Sequence, residues 1–215
     1  MSNKSEVGSR FVDDTKDHVM TVELDQGVHR CLYFGKPGTG SYSFRIVTWP
    51  GHLGYSGDMG DFMFCRLPDM FEFFRGRGVN PSYWAEKCVA VSRDGGVSEF
   101  EADEFLKAVE SEIEARWDSK DKAPPELVED LMGEAEDHAH DSRDAAVSWA
   151  VDYSFDWEHD GDKGTFRMQD FWEHDCAAYT HRFLWCLHAL VWGIRKYDES
   201  KAKVSMVEQE ASSAP

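Results

Sequence analysis

Short apolar runs rich in β-branched and aromatic residues fill the first third of the chain: Val19–Leu24, Val28–Phe34, Tyr42–Trp49, Leu53–Ser56 and Phe62–Leu67. Turn chemistry separates them, at Asp25-Gln26-Gly27, Lys36-Pro37-Gly38-Thr39-Gly40, Pro50-Gly51 and Gly57-Asp58-Met59-Gly60, and this pattern predicts strands. Connections this short favour antiparallel hairpins, because a parallel pair needs a long crossover. Beyond them the period changes. Pro68–Arg75 reads as a short helix, and Asn80-Pro81 opens another, with Asn as cap and Pro at the first position, followed by SYWAEKCVAV. Phe105, Leu106, Val109 and Ile113 recur at helical spacing in Ala102–Trp117. Pro124-Pro125 then opens a longer helix toward Val151, and Gln169–Lys203 reads as one or two closing helices.

These elements predict an α+β fold. An antiparallel β-meander of about five strands packs against helices, with the apolar run Phe183–Ile194 on its buried face and acidic helices outside that core. The expected layout is 1–100 for the sheet with its short helices, 101–164 for an acidic helical segment and 165–215 for the C-terminal helices, together one compact domain. The twelve-residue apolar run falls short of the roughly 20 residues that span a bilayer, so it reads as a buried helix.

Charge changes the picture most. The 215 residues carry 41 Asp and Glu against 23 Lys and Arg, a net of −18. Residues 101–164 hold 21 acids and 6 bases, a net of −15, while the flanking segments come to −2 and −1. Eight Trp and fourteen Phe set the chain apart from acidic disordered proteins, which are poor in aromatics. A surface of this sign repels phosphate, which argues against direct binding to nucleic acid or to anionic membranes. Basic proteins or metal cations are the natural partners. The polar start MSNKSEVGSRFVDD and five cysteines, odd in number and without a CxxC pair, suggest a reducing cytoplasm.

Five patterns invite a chemical reading. On a helical wheel, Glu126, Asp130, Glu134, Asp137, Asp141 and Asp144 fall within about ±40° of one line, with Leu127, Leu131, Ala135 and Ala146 opposite. One carboxylate per turn imitates a phosphate strand, so this row is the candidate partner-binding surface. The same row also fits the solvated face of an amphipathic helix, although like charges at i,i+4 disfavour a helix. Trp157-Glu158-His159-Asp160 recurs as Trp172-Glu173-His174-Asp175. Imidazoles and carboxylates ligate zinc, iron and manganese, so His159, Asp160, His174 and Asp175 are candidate metal ligands, with no HExxH spacing to strengthen them. Asp156, Glu158, Asp160, Gly161 and Asp162 follow the start of a calcium loop, but Arg167 stands where a bidentate Glu is needed. His174, His181 and His188 form a stripe seven residues apart if the last helix is continuous. Gly51, Gly54, Gly57 and Gly60 read as tight turns and bulges of a meander, since neither a GK[ST] motif nor a helix follows. No nucleophile elbow is present.

Three blocks carry a resemblance: TWPGHLGYSGDMGDFMFCRLPDMFEFFR (Thr48–Arg75), NPSYWAEKCVAV (Asn80–Val91) and DFWEHDCAAYTHRFLWCLHALVWGIRKYD (Asp170–Asp198). They resemble a family of bacteriophage and prophage proteins with no assigned activity, so no catalytic residue is carried over. The resemblance implies a phage product acting in the bacterial host cytoplasm. The expected function is a non-enzymatic accessory protein that needs no cofactor and binds and inhibits a host nucleic-acid-binding or defence protein, of the anti-restriction or anti-CRISPR type. The alternative is a metal-dependent enzyme acting on nucleotides or nucleic acid, with a divalent cation held by the His159 and His174 tetrads. Oligomeric state is left open.

Overall fold

The computed structural model describes residues 2–76, 78–93 and 95–212. It is α+β, and the chain divides into two compact units, Met1–Val97 with Tyr179–Pro215, and Ser98–Ala178. Among the described residues no helix is long and apolar enough to cross a membrane.

The first unit is built on a six-stranded antiparallel meander in chain order: β1 (Val19–Gln26), β2 (His29–Gly35), β3 (Phe44–Trp49), β4 (His52–Gly57), β5 (Gly60–Cys65) and β6 (Cys88–Val91). Strand residues alternate between faces, and one face carries Leu32, Phe34, Phe44, Ile46, Leu53, Tyr55, Phe62 and Phe64, all buried. Helix α7 (His181–Ser212) covers this face with Phe183, Leu187, Leu190 and Ile194. Thr180 caps its start, its hydroxyl accepting from the Phe183 amide at 3.1 Å and donating to the Gly96 carbonyl at 3.0 Å. The helix comes close to the sheet at Gly193, where a Cβ would lie 2.9 Å from Ile46 Cδ1 and 3.1 Å from Phe34 Cζ. Two short helices, α2 (Met70–Phe74) and α3 (Pro81–Ala85), add Phe71, Phe74 and Trp84 to the same core.

Two features depart from the expected layout of this unit. The polar N-terminus forms helix α1 (Ser2–Thr15), which buries Val7, Phe11 and Thr15 at four-residue spacing; Phe11 meets the Trp185 ring edge-on at 5.0 Å. The run after Asn80-Pro81 is helical only to Ala85, and Cys88–Val91 becomes the sixth strand. That segment is small and β-branched, and β5 offers it an open edge.

The second unit enters and leaves through a pair of three-residue strands, β7 (Ser98–Phe100) and β10 (Ala177–Tyr179). Between them run α4 (Ala102–Trp117), α5 (Pro125–His138), α6 (Arg143–Asp152) and the hairpin β8–β9 (Phe155–His159 and Asp162–Phe166). Their core is Phe105, Val109, Ile113, Leu127, Leu131, Phe166 and Phe171, with a seam of Ala135, Ala139, Ala146 and Ala150. The boundaries therefore lie at 98 and 178 rather than 101 and 164, because the β7–β10 pairing draws both flanks into this unit. This unit holds 25 acidic and 7 basic residues, a net of −18, and the first holds 16 of each, a net of zero.

Candidate partner-binding surface

The helix expected from Pro125 to Val151 is two helices. Leu127, Leu131 and Ala135 hold α5 to the core, and the chain leaves the helix after His138, where the Asp141 amide bonds the His138 carbonyl at 3.1 Å. Ser142 then caps α6, its hydroxyl accepting from the Ala145 amide at 3.3 Å. After the turn, Ala146 and Ala150 are buried in the same core as Leu127 and Leu131. Contacts between the helices run in opposite order: Trp149 Nε1 donates to Glu134 at 3.0 Å, and the Tyr153 hydroxyl donates to Asp130 at 2.8 Å. The two helices are an antiparallel hairpin.

The six stripe carboxylates remain exposed but are no longer one line. Glu126, Asp130, Glu134 and Asp137 share α5, Asp141 lies in the turn, and Asp144 lies in the first turn of α6, where a negative charge suits the helix dipole. Asp141 takes a bond from His138 Nδ1 at 2.9 Å, and the His138 ring stacks on Trp149 at 5.0 Å. Burial, and then the Asp130 carboxylate, push the Tyr153 phenol upward, so it stays a neutral donor. Three lysines of this unit pair with other acids: Lys107 with Glu104, Lys120 with Glu110 and Lys122 with Asp118. Among the described residues no Lys or Arg ion pair involves the six stripe acids. Asp130, Glu134 and Asp141 take hydrogen bonds from an uncharged tyrosine, a tryptophan and one histidine, which leaves the row's charge uncancelled by Lys or Arg.

The tetrads occupy different elements. Trp157, Glu158 and His159 lie on β8, and Asp160 begins its turn, with Asp160 at φ +53° and Gly161 at φ +85°. An Asp-Gly pair at positive φ is the tight hairpin turn, so the calcium-like stretch is a hairpin in which Asp156 accepts from the Thr165 hydroxyl at 2.6 Å. His159 Nε2 lies 3.5 Å from Asp160. In the second copy, Trp172 and Glu173 form part of a single 3-10 turn, Phe171–Glu173, and Trp172 is exposed. His174 pairs instead with Glu112 of α4, 2.8 Å away, and Asp175 follows it in the loop. Among the described residues no three His, Cys, Asp or Glu side chains come together as a metal site requires. His174 also stands outside α7, so the histidine stripe is reduced to His181 and His188.

Sequence reasoning missed the bonds from Tyr153 and Trp149, which depend on the turn at 139–142. The signal for that turn was present as His140-Asp141-Ser142, a helix stop followed by a cap. Asp58, in the glycine-rich stretch, accepts from the Tyr42 amide at 2.8 Å and fixes a loop. Compared with family models, with curated proteins and with solved structures, the chain matches none.

Proposed function

We propose that the protein is a phage-encoded acidic accessory protein that binds a basic nucleic-acid-binding surface on a host protein and blocks it, as anti-restriction and anti-CRISPR proteins do. The carrying observation is the partition of charge: the whole excess of −18 belongs to residues 98–178, and the rest of the chain is neutral. Charge needed only for solubility has no reason to gather in one folded unit. A single-sign surface steers an oppositely charged partner and competes with the phosphate strand that partner normally holds. The α5–α6 hairpin is its densest part, and the phage resemblance of the flanking blocks supports a partner in a bacterial cytoplasm.

The test is a competition. Full-length protein is titrated against restriction and CRISPR effector complexes bound to labelled DNA, and release of DNA is measured at two salt concentrations. Release that weakens steeply with salt supports the reading. Asp137→Lys with Asp144→Lys weakens it by roughly tenfold, about the worth of two charge contacts. These two positions are chosen because Asp130 and Asp141 also hold the hairpin together. If the double variant releases DNA as well as the parent from every complex, the acidic row is only a solvated face.

A further inference from the structure

Four glycines punctuate β3 to β5, and three have a reason in the fold. Gly51 and Gly60 turn the chain at φ +82° and +118°, where side chains are strained. A Cβ on Gly57 would collide with the Ser43 carbonyl oxygen. Gly54 has no such reason. It sits inside β4 without positive φ, and the nearest atoms to a Cβ there are Trp49 Cζ3 and the Val47 oxygen, both at 3.9 Å. Glycine inside a strand forfeits packing and β-propensity, and often marks a close approach by a ligand.

The missing side chain opens a groove on the sheet face opposite α7. Val47, Gly54, Met63 and Ala90 stand side by side on four strands and line an open cavity of about 290 Å³. Ser56, Asp61 and Ser92 line it as well, with the Ser56 hydroxyl donating to Asp61 Oδ1 at 2.6 Å. A carboxylate has about four lone-pair positions, so Asp61 keeps capacity to accept. On the other side of Gly54 is the Trp49 ring, stacked on His52 at 5.2 Å and 7°.

We propose that this groove binds a planar heteroaromatic ligand with N–H donors on its edge, the class to which amino-bearing nucleobases belong. A flat ring lies directly over Gly54, where no Cβ separates it from the strand. Val47, Met63 and Ala90 remove its face from water, and few but convergent polar groups orient it. Asp61 is the one charged residue of the lining; it matches an amine and repels an anion. An aliphatic ligand uses the floor and leaves Asp61 unanswered.

Two probes that differ by one amine test this: 9-methyladenine and 9-methylpurine. They are titrated into the full-length protein while the Met63 methyl signal is followed by NMR, assigned with Met63→Leu. The expected result is a saturating Met63 shift with 9-methyladenine and binding about tenfold weaker in Asp61→Asn, the worth of a hydrogen bond to a charged group. 9-Methylpurine binds more weakly and is indifferent to Asp61→Asn. Gly54→Val abolishes binding while thermal stability is unchanged or raised. If Gly54→Val does not fold, Gly54→Ala, whose methyl meets nothing closer than 3.9 Å, takes its place with a several-fold loss. The proposal is overturned by no Met63 shift at millimolar probe, by equal affinity for both probes, or by unchanged binding in the Gly54 variant. A Met63 shift that follows protein concentration alone overturns it too, and makes the face an interface between two copies.

Discussion

The neutral sheet unit and the α5–α6 hairpin of the acidic unit satisfy their carboxylates in opposite ways. In the sheet unit, acids meet cations across elements: Asp69 with Arg30, Asp198 with Arg75, Glu23 with Arg45, Asp17 with Lys36 and Asp25 with Lys201. Each pair cancels charge where it fixes geometry. On the α5–α6 hairpin, Asp130 and Glu134 take their bonds from a phenol and an indole. Hydrogen-bond satisfaction and charge neutralisation are separate requirements, and Asp130 and Glu134 meet the first without the second. That is how a stable fold keeps an uncancelled surface charge. Both cores hold stacked or edge-on aromatics, and the acidic unit adds a set of buried alanines on α5 and α6. The alanine seam lets α5 and α6 approach closely, and so brings the carboxylates of both onto one hairpin.

The sharpest way to break the comparison is at Asp69. Its carboxylate grips the Arg30 guanidinium in two bonds of 2.8 and 2.9 Å and caps α2 through the Phe71 amide at 2.9 Å. Arg30 is 7% exposed and lies over the Phe71 ring at 4.4 Å. Asp69→Ala leaves a buried cation unpaired and removes the cap. It is expected to cost about 3 kcal/mol, measured as the shift of the sheet unit's urea transition; a loss near zero means the cation finds water. Acid reaches the same pair. Burial raises the Asp69 pKa, but the Arg30 and Phe71 bonds outweigh it and the net shift is downward. A carboxyl with its folded pKa depressed contributes stability above its unfolded pKa and loses it as pH falls through the folded value. The parent protein therefore loses stability on acidification below about pH 4, and Asp69→Ala has a flatter acid limb in the same titration.

The matching change in the acidic unit is smaller. Tyr153→Phe deletes one neutral donor at Asp130 and is expected to cost about 1 kcal/mol. Faster amide exchange confined to α5 and α6 locates the loss, and exchange that quickens equally in the sheet would show that the two units share their stability. Salt separates the units without mutation. Raising ionic strength screens like-charge repulsion in a unit of −18 and weakens exposed ion pairs in a neutral one. Amide protection should rise by up to about 1 kcal/mol in the acidic unit and stay level or fall in the sheet. The smallest effect is expected at Glu23, an exposed residue whose carboxyl is held at about 2 by hydrogen bonds from Arg45 and Cys31. Glu23→Gln changes the thermal midpoint little, because exposed pairs are screened by water.

Legibility in the sequence followed the range of the interactions. Turn dipeptides and β-branched runs locate β1 to β5 because hairpins are local, and Phe105, Val109 and Ile113 locate α4 because its apolar face repeats within the helix. Helix α1 was hidden: its apolar face is only Val7 and Phe11, which make sense once Trp185 of α7 is there to meet them. The Asp160-Gly161 hairpin is legible in principle, as Asp-Gly between Trp157 and Phe166, but the same run of carboxylates also fits the start of a calcium loop. His174 shows why a repeated motif misleads. The two tetrads are alike in sequence, yet one folds as a strand with its turn and the other as a single 3-10 turn beside Glu112.

The sequence by itself determined the fold class, the order of the first five strands and the concentration of negative charge in the middle of the chain, since each depends on residue type and short spacing. Tertiary structure decided the rest. It placed the unit boundary at the β7–β10 pairing, folded the acidic stripe into a hairpin around small side chains, and set which carboxylates bond a neutral donor and which a cation. It also distinguished Gly54 from the three glycines beside it. Those outcomes depend on what stands across from a residue in space, and a one-dimensional pattern of polar and apolar positions carries no record of that neighbour.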